Sequence, residues 1–447
     1  MKESSVKISI VQFGNKSTTM ENKFLDNEIS RRAFVENMAY SLLGVTALSH
    51  TTFGADIPSG NRFGKAKRVI YVYFSGGASH TDTFDPKLDP LINTGILPIK
   101  TKGDFEIAGY FPKLAEHGNK FSVIRSLSSK TGAHEQGNYL VHTSYGKSSL
   151  IIHPAMGSLS NYLLPKQHPS IPDNILISGD SNHPRGGYLN KQFHPVSIGN
   201  PNEGLRYAKA LVDKGKFSNR YAILNQFDKN FQKTFNNREI AAYDVLYDET
   251  LKLMNSKDLE LFDLTKEDDK TKERYGKTSF GSGLLLAKRL IKNNIRFVEV
   301  TTGGWDMHND VKDGMTRKAQ EVDTALAALF EDLEKEGMIQ DTLVVVATEF
   351  GRTPKINVNS GKDHFPAAFS FLLGGLDIGG RVIGKTNEDA SKVLETPVTI
   401  GEFNATVGHY MGIKSDRVWL SPPESSAPNR PFSIGGSATV KPISSLT

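Results

Sequence analysis

Short apolar runs that alternate with amphipathic stretches constrain the fold of this chain more than any other feature. The first run, Arg68 to Phe74, is almost uniformly apolar or aromatic, which is typical of a strand buried on both faces of a parallel sheet. Apolar residues at helical spacing predict helices over 281–292 and 315–335. Further strands are predicted over 121–125, 295–301 and 342–347. This alternation predicts an α/β fold, a doubly wound, mostly parallel sheet with helices on both faces.

The N-terminal segment has the features of an export signal. Arg31 and Arg32 are followed by a modestly apolar stretch over 38–53, and the small residues Gly54 and Ala55 suit a signal peptidase. The stretch is too short and too interrupted by polar residues to span a bilayer. We therefore expect residues 1–55 to be a twin-arginine signal peptide and the protein to be periplasmic or extracellular. The alternative is an ordinary amphipathic helix that carries an arginine pair.

The remaining chain, 56–447, is predicted to form one domain with two local features. Residues 200–275 are charged and helix-prone, which favours a helical insertion. Residues 421–447 are rich in serine and proline, which favours an irregular tail. No apolar run in this part reaches membrane-spanning length, so no transmembrane segment is expected. The oligomeric state is left open.

Composition excludes several functional classes. The chain has no cysteine, which excludes disulfides, cysteine-ligated zinc, a cysteine nucleophile and a formylglycine made from cysteine. Its net charge is +5 over 447 residues, without a basic stripe, so we expect no nucleic-acid partner.

Histidines and carboxylates follow four predicted strands, where the carboxyl ends of parallel strands form sites. Imidazole nitrogen and carboxylate oxygen are ligands for borderline divalent metals, so the pattern predicts a site for zinc, manganese, calcium or magnesium. A single loop histidine is more often a hydrogen-bonding residue, and Asp363 alone would fit a helix cap. The joint occurrence favours a metal site, and the other histidines are predicted to have structural roles. The predicted ligands are His80, Asp82, Asp306, His308, Glu349, Asp363 and His364.

Five stretches resemble a known family. They cover 74–87, 134–145, 304–308, 348–354 and 361–366. In these stretches the chain resembles the bacterial domain-of-unknown-function family 1501, an exported branch of the alkaline phosphatase and sulfatase superfamily. The resemblance extends over nearly all of residues 66–412, and it implies an alkaline phosphatase-like fold.

The resemblance also implies two metals at the carboxyl edge of the sheet. Asp306, His308 and His364 match the first ligand set. In the second set, Glu349 occupies the position of an aspartate and Phe350 replaces a histidine.

The rest of the superfamily's site is matched less closely. The first strand ends in serine and glycine where the superfamily has an aspartate, so Asp82 or His80 would have to substitute. His134 lies at the position of the nucleophile, and Thr131 is the nearest hydroxyl. Arg352 would either clamp an anionic oxygen of a substrate or anchor a strand end.

The resulting functional prediction is a metal-dependent hydrolase that acts on a phosphate or sulfate ester outside the cytoplasm. The substrate would be a small-molecule or carbohydrate ester. The alternative is a catalytically inert carbohydrate- or partner-binding protein on the same scaffold.

Overall fold

The computed structural model describes residues 62–205, 256–423 and 425–447, together with positions 216, 219, 222, 223 and 226. The predicted signal peptide and much of the predicted insertion lie outside the described residues. No helix in the described part is long and apolar enough to cross a membrane.

An eight-stranded sheet organises the described residues. In chain order its strands are β1 Arg68–Phe74, β2 Phe121–Leu127, β3 Asn174–Ile177, β4 Val196–Ile198, β5 Phe297–Thr302, β6 Thr342–Thr348, β7 Phe369–Gly375 and β8 Val382–Ile383. Their spatial order is β8-β2-β7-β6-β1-β5-β3-β4. All neighbours pair in parallel except β7, which is antiparallel to both β2 and β6. The predicted mostly parallel α/β sheet is therefore confirmed.

Helices cover both faces of this sheet. They are α1 Pro112–Ala115, α2 His134–Thr143, α3 Met156–Leu163, α4 Asp269–Tyr275, α5 Ser279–Lys292, α6 Val311–Lys335 and α7 Ile400–Met411. The side chains of β1 alternate between two cores, with Val72 in the core that contains α5 and α6 and Tyr71 in the core that contains α3 and α7. Because both faces of β1 are covered, the residues of this strand after Arg68 are all apolar or aromatic.

Four two-stranded ribbons lie outside the main sheet. They pair Pro98–Lys100 with Glu106–Ala108, Gly351–Arg352 with His364–Phe365, Lys385–Thr386 with Val393–Glu395, and Trp419–Leu420 with Pro431–Phe432. The second ribbon pairs His364 with Arg352, which places two predicted site residues side by side.

The described residues of the predicted insertion and of the predicted tail pack against the core. Residues 256–275 contain two short 3-10 helices, Lys257–Phe262 and Leu264–Lys266, and then α4, with no strand among them. The tail beyond residue 421 is irregular apart from its ribbon strand, but Ile443 and Leu446 are buried in the core beside α7.

Strand register determines where the site lies. Phe74 at the end of β1 pairs with Thr302 of β5 on one side and with Thr348 of β6 on the other. The three central strands therefore end at the same level, and the loops that follow them start from one edge of the sheet. This is the edge on which the sequence placed the predicted ligands.

Candidate metal centre

The turn after β1 brings two loops into contact. Gly76 and Gly77 have φ values of +122° and +71°, which L side chains rarely adopt. A Cβ atom on Gly76 would lie 2.6 Å from the backbone nitrogen of Asp306. Glycine is therefore required at position 76 for the β1 loop to pack against the loop that carries Asp306.

Three histidines direct their Nε2 atoms toward the carboxylate of Asp306. His308 Nε2 lies 3.0 Å and His364 Nε2 lies 3.3 Å from Asp306 Oδ1, and His134 Nε2 lies 3.4 Å from Asp306 Oδ2. The Nε2 atoms of His308 and His364 are 3.0 Å apart. The four side chains are 28–48% exposed, so the cluster is open to solvent on one side.

The other nitrogen of each histidine faces an acceptor. Nδ1 of His134 is 2.8 Å from Glu349 Oε1, Nδ1 of His308 is 2.8 Å from Asp363 Oδ1, and Nδ1 of His364 is 2.6 Å from the carbonyl oxygen of Gly132. An ionised carboxylate and a carbonyl only accept hydrogen bonds, so each Nδ1 must carry the proton. A neutral imidazole then has its lone pair on Nε2, and all three lone pairs point into the cluster.

This arrangement suits a divalent cation. Two nitrogens bound at about 2.0–2.1 Å to one ion at tetrahedral or octahedral angles are about 2.9–3.4 Å apart, which matches the spacing of His308 and His364. A proton between His308 Nε2 and His364 Nε2 would remove the lone-pair repulsion between these two atoms only. His134 Nε2 is also buried and has no hydrogen-bond partner. His134, Asp306 and His364 therefore form a group that could hold a divalent metal ion, with His308 beside it, and the cluster is open on one side.

Glu349 and Asp363 hold histidines in this arrangement. Glu349 is 1% exposed and accepts hydrogen bonds from Tyr73 Oη, the backbone nitrogen of Gly76 and His134 Nδ1. Burial alone would raise the pKa of Glu349, but these bonds lower it. Both carboxylates were predicted as ligands, and the structure instead gives them the orienting position that carboxylates commonly take behind a metal-bound histidine.

The guanidinium of Arg352 is hydrogen-bonded to other groups of the protein. Its guanidinium donates to the carbonyl oxygens of Gly76, Gly77 and Lys362 and to Asp306 Oδ1, and its remaining N–H faces His308 Nε2 at 3.3 Å. All five N–H groups therefore face acceptors in the protein, which favours the second of its two predicted roles, anchoring a strand end, over clamping a substrate oxygen. Partial burial raises the pKa of Asp306, but Arg352 outweighs it and the pKa falls to about 2. Asp306 is ionised at neutral pH.

Three predicted residues are not brought into the cluster. His80 is buried with Nε2 3.1 Å from the carbonyl oxygen of Ala390, and Asp82 is buried in an ion pair with Lys362 at 2.5 Å. The ammonium of Lys362 already neutralises this carboxylate, so Asp82 is not a ligand here. Thr131 donates to Gln136 Oε1 at 2.9 Å, at the exposed start of α2, and not to any group of the cluster.

A second histidine–carboxylate cluster lies deeper in the same region and was not predicted. Glu299 of β5 lies 3.1 Å from His142 Nε2 and 3.2 Å from His183 Nε2, and all three side chains are buried. The sequence signal was a single carboxylate inside an otherwise apolar strand. Since His142 and His183 lie 157 and 116 positions from Glu299, spacing did not reveal the contact.

The three residues of this second cluster could also hold a metal ion, but their hydrogen bonds favour a shared proton. His183 Nδ1 accepts from the backbone nitrogen of Arg185, so its Nε2 carries the proton that Glu299 accepts. His142 Nδ1 donates to the carbonyl oxygen of Asn138, so a bond from Nε2 to Glu299 requires the imidazolium form. Burial alone would lower the pKa of His142, but Glu299 raises it. Burial lowers the pKa of His183, which stays neutral.

Comparison with known sequences identifies the family. The family DUF1501, described as a protein of unknown function, matches residues 66–428. The chain belongs to this family. A search of curated protein sequences found no match to this DUF1501 protein.

Solved structures similar to the DUF1501 chain include a protein of the alkaline phosphatase superfamily, an alkaline phosphatase and a lipoteichoic acid synthase. A superfamily protein from Vibrio parahaemolyticus is 12% identical, with 92% of this chain and 79% of that chain covered and a TM-score of 0.35. Alkaline phosphatase from the Antarctic bacterium TAB5 is 10% identical, with 73% and 96% covered and a TM-score of 0.31. The lipoteichoic acid synthase LtaP from Listeria monocytogenes is 12% identical, with 90% and 80% covered and a TM-score of 0.33.

Proposed function

We propose that this protein is a metal-dependent hydrolase of phosphate or sulfate esters, with the metal held by His134, Asp306, His308 and His364. The observation that carries the proposal is the pair of imidazole Nε2 atoms at 3.0 Å, each with its Nδ1 proton already given to an acceptor. Two such lone pairs repel each other unless a cation or a proton lies between them, and the N–H of Arg352 that faces His308 Nε2 at 3.3 Å offsets this repulsion only in part, because it lies beyond the usual hydrogen-bond distance.

The residues around the cluster have distinct roles in this proposal. Glu349, Asp363 and the carbonyl oxygen of Gly132 fix the tautomer and orientation of the three histidines. Arg352 holds the carboxylate of Asp306 and keeps it ionised. A divalent ion at this position supplies a Lewis acid that polarises an ester oxygen and lowers the pKa of water.

The geometry favours a single metal rather than two. The second ligand set of the superfamily would require Glu349 and the residue after it. Glu349 is occupied by three hydrogen-bond donors. The ring centroid of Phe350 lies 5.0 Å from that of His134 and 4.7 Å from that of His364. An aromatic ring, which offers no metal ligand, therefore occupies the side of the cluster next to Glu349.

Elemental analysis followed by an ester panel tests the proposal. Protein purified without chelators should contain about one divalent ion per chain, and it should hydrolyse an aryl phosphate or an aryl sulfate in a chelator-sensitive manner. Asp306→Asn should lose most of the metal and of the activity. Asp416→Asn, at an exposed position in the loop after α7, serves as the matched control and should lose neither.

The alternative is a catalytically inert carbohydrate- or partner-binding protein on the same scaffold. The full engagement of Arg352 favours it, because no guanidinium N–H is left to bind a transferring group. Metal-free protein without turnover of either ester would favour this alternative and contradict the hydrolase proposal.

Export is a separate part of the proposal. The Arg31-Arg32 pair supports translocation by the twin-arginine route into the periplasm or the extracellular space. That route carries folded proteins, which suits a chain that acquires its metal before export.

A further inference from the structure

A serine–carboxylate pair lies beside the metal centre and has no role in the function proposed so far. Ser75 directly follows β1, and its hydroxyl donates to Asp180 Oδ2 at 3.1 Å. Asp180 lies in the loop after β3. Because β1 and β3 run in the same direction, both residues belong to the edge of the sheet that carries the cluster.

The carboxylate of Asp180 is oriented by two other donors. Asn138 Nδ2 donates to Oδ2 at 2.9 Å, and the backbone nitrogen of Asn182 donates to Oδ1 at 2.7 Å. Asn138 lies four residues after His134 on α2, so the two side chains lie on the same face of the helix, one turn apart. The helix that supplies His134, a proposed metal ligand, therefore also positions the carboxylate that holds Ser75.

The turn after β1 joins Ser75 to a residue that packs against the Asp306 loop. A Cβ atom on Gly76 would lie 2.6 Å from the backbone nitrogen of Asp306, so the residue that follows Ser75 lies directly against this loop. Ser75 is half-buried. A strand that ends in a sharp glycine turn is a favourable place for a nucleophile, since the turn exposes the hydroxyl at the sheet edge.

We infer that Ser75 is the nucleophile and Asp180 its general base, an inference that rests on the proposed hydrolase function. Ser75 Oγ forms a bond to the phosphorus or sulfur atom, and Asp180 accepts the hydroxyl proton. The bond from that atom to the ester oxygen breaks, and the departing alkoxide takes a proton from solvent. Water then attacks the same atom and loses a proton to solvent, the bond to Ser75 Oγ breaks, and Asp180 returns its proton to this oxygen, which releases phosphate or sulfate and restores the serine hydroxyl.

A fluorophosphonate probe tests this inference without a known substrate. Attack by Ser75 Oγ forms an O–P bond, breaks the P–F bond and releases fluoride, while the proton passes to Asp180. Peptide mass analysis of wild-type protein should place the label on Ser75. Ser75→Ala should lose the label with its metal content unchanged, and Asp180→Asn should react at least about 100-fold more slowly.

A second serine–aspartate pair offers a matched control. Ser170 also donates its hydroxyl to a carboxylate, that of Asp258, but it precedes β3 and lies toward the opposite edge of the sheet. Ser170→Ala should keep the label on Ser75 at the wild-type rate.

The outcomes separate this inference from the hydrolase proposal. Unlabelled wild-type protein, a label on another residue such as Thr131, or Asp180→Asn labelled at the wild-type rate would each overturn the inference. Because the label is located in wild-type protein, this result does not depend on how well a variant folds. A label on Ser75 in protein that turns over no ester would keep the nucleophile and contradict the hydrolase proposal alone.

Discussion

Replacing His364 by alanine separates the contribution of a bound metal from that of the histidine itself. The change removes one of the four atoms that converge in the cluster, and it removes the Nδ1 hydrogen bond to the carbonyl oxygen of Gly132. It also removes the Nε2 atom that faces His308 Nε2 at 3.0 Å. The loss of the converging atom and of the hydrogen bond to Gly132 is unfavourable. The loss of the Nε2 atom that faces His308 removes the repulsion between two lone pairs when no cation is present.

The expected free energies differ with and without metal. In chelator, one lost hydrogen bond costs about 0.5–1.5 kcal/mol, and relief of the facing lone pairs offsets part of it. The His364 side chain is 28% exposed, so we expect a net change in the free energy of unfolding of less than about 1 kcal/mol. With metal at about 100 times the wild-type Kd, linkage adds about 2.7 kcal/mol to the wild type, but only about 0.4 kcal/mol to a variant with about 100-fold weaker affinity. The metal-dependent difference is therefore about 2.3 kcal/mol.

Denaturant unfolding of both proteins measures these quantities, in chelator and in excess zinc, manganese, calcium or magnesium. Elemental analysis of each purified protein reports its metal content. His117→Ala is the matched control, because this histidine is also partly exposed but stacks on Phe330 with ring centroids 6.4 Å apart. The control should keep the full metal-dependent gain.

Two results would refute this reasoning. One is a wild-type protein whose free energy of unfolding does not change with any of the four metals. The other is a His364→Ala variant that gains as much stability from the metal as the wild type does. The first result would mean that the three imidazoles share protons rather than a cation, and the second would mean that His364 is not a metal ligand.

Three further predictions concern other parts of the molecule. Asp363→Asn should weaken metal binding by about 10–100-fold in a competition titration although it removes no ligand, and wild-type affinity would contradict its orienting role. Arg31→Lys combined with Arg32→Lys should leave the protein in the cytoplasm on fractionation, and periplasmic accumulation would rule out the twin-arginine route. Glu299 raises the pKa of His142. The stability that this pair contributes is therefore fully present below about pH 6.5 and is lost as pH rises through the folded-state pKa of His142. In measurements of the free energy of unfolding against pH, His142→Gln should flatten that loss.

The sequence predicted the architecture because its signals are local. A buried parallel strand is apolar on both faces, and a helix against a sheet repeats its apolar residues every three or four positions. The predicted strand over 342–347 is Thr342–Thr348 in the structure, and the predicted helix over 315–335 lies within Val311–Lys335. Parallel strands end at one edge, so the sequence also placed Asp306 and His308 at the correct edge.

Contacts over long sequence distances required the tertiary structure. Glu349 reaches His134 across 215 positions, and this contact makes it an orienting residue rather than a predicted ligand. Asp82 reaches Lys362 across 280 positions, and that ion pair removes the carboxylate from the candidate ligands. Neither partner has a sequence signature, because a loop side chain can point in several directions from the same backbone position.

The sequence by itself determined four strands of the main sheet, two long helices and the set of polar residues that follow the central strands. Only the tertiary structure decided which imidazole nitrogens carry protons, which carboxylates hold them, and that Glu299 forms a buried cluster with two histidines far away in the chain. The physical reason is that backbone periodicity depends on neighbouring residues, whereas a hydrogen bond depends on where two side-chain atoms lie after the whole sheet has formed.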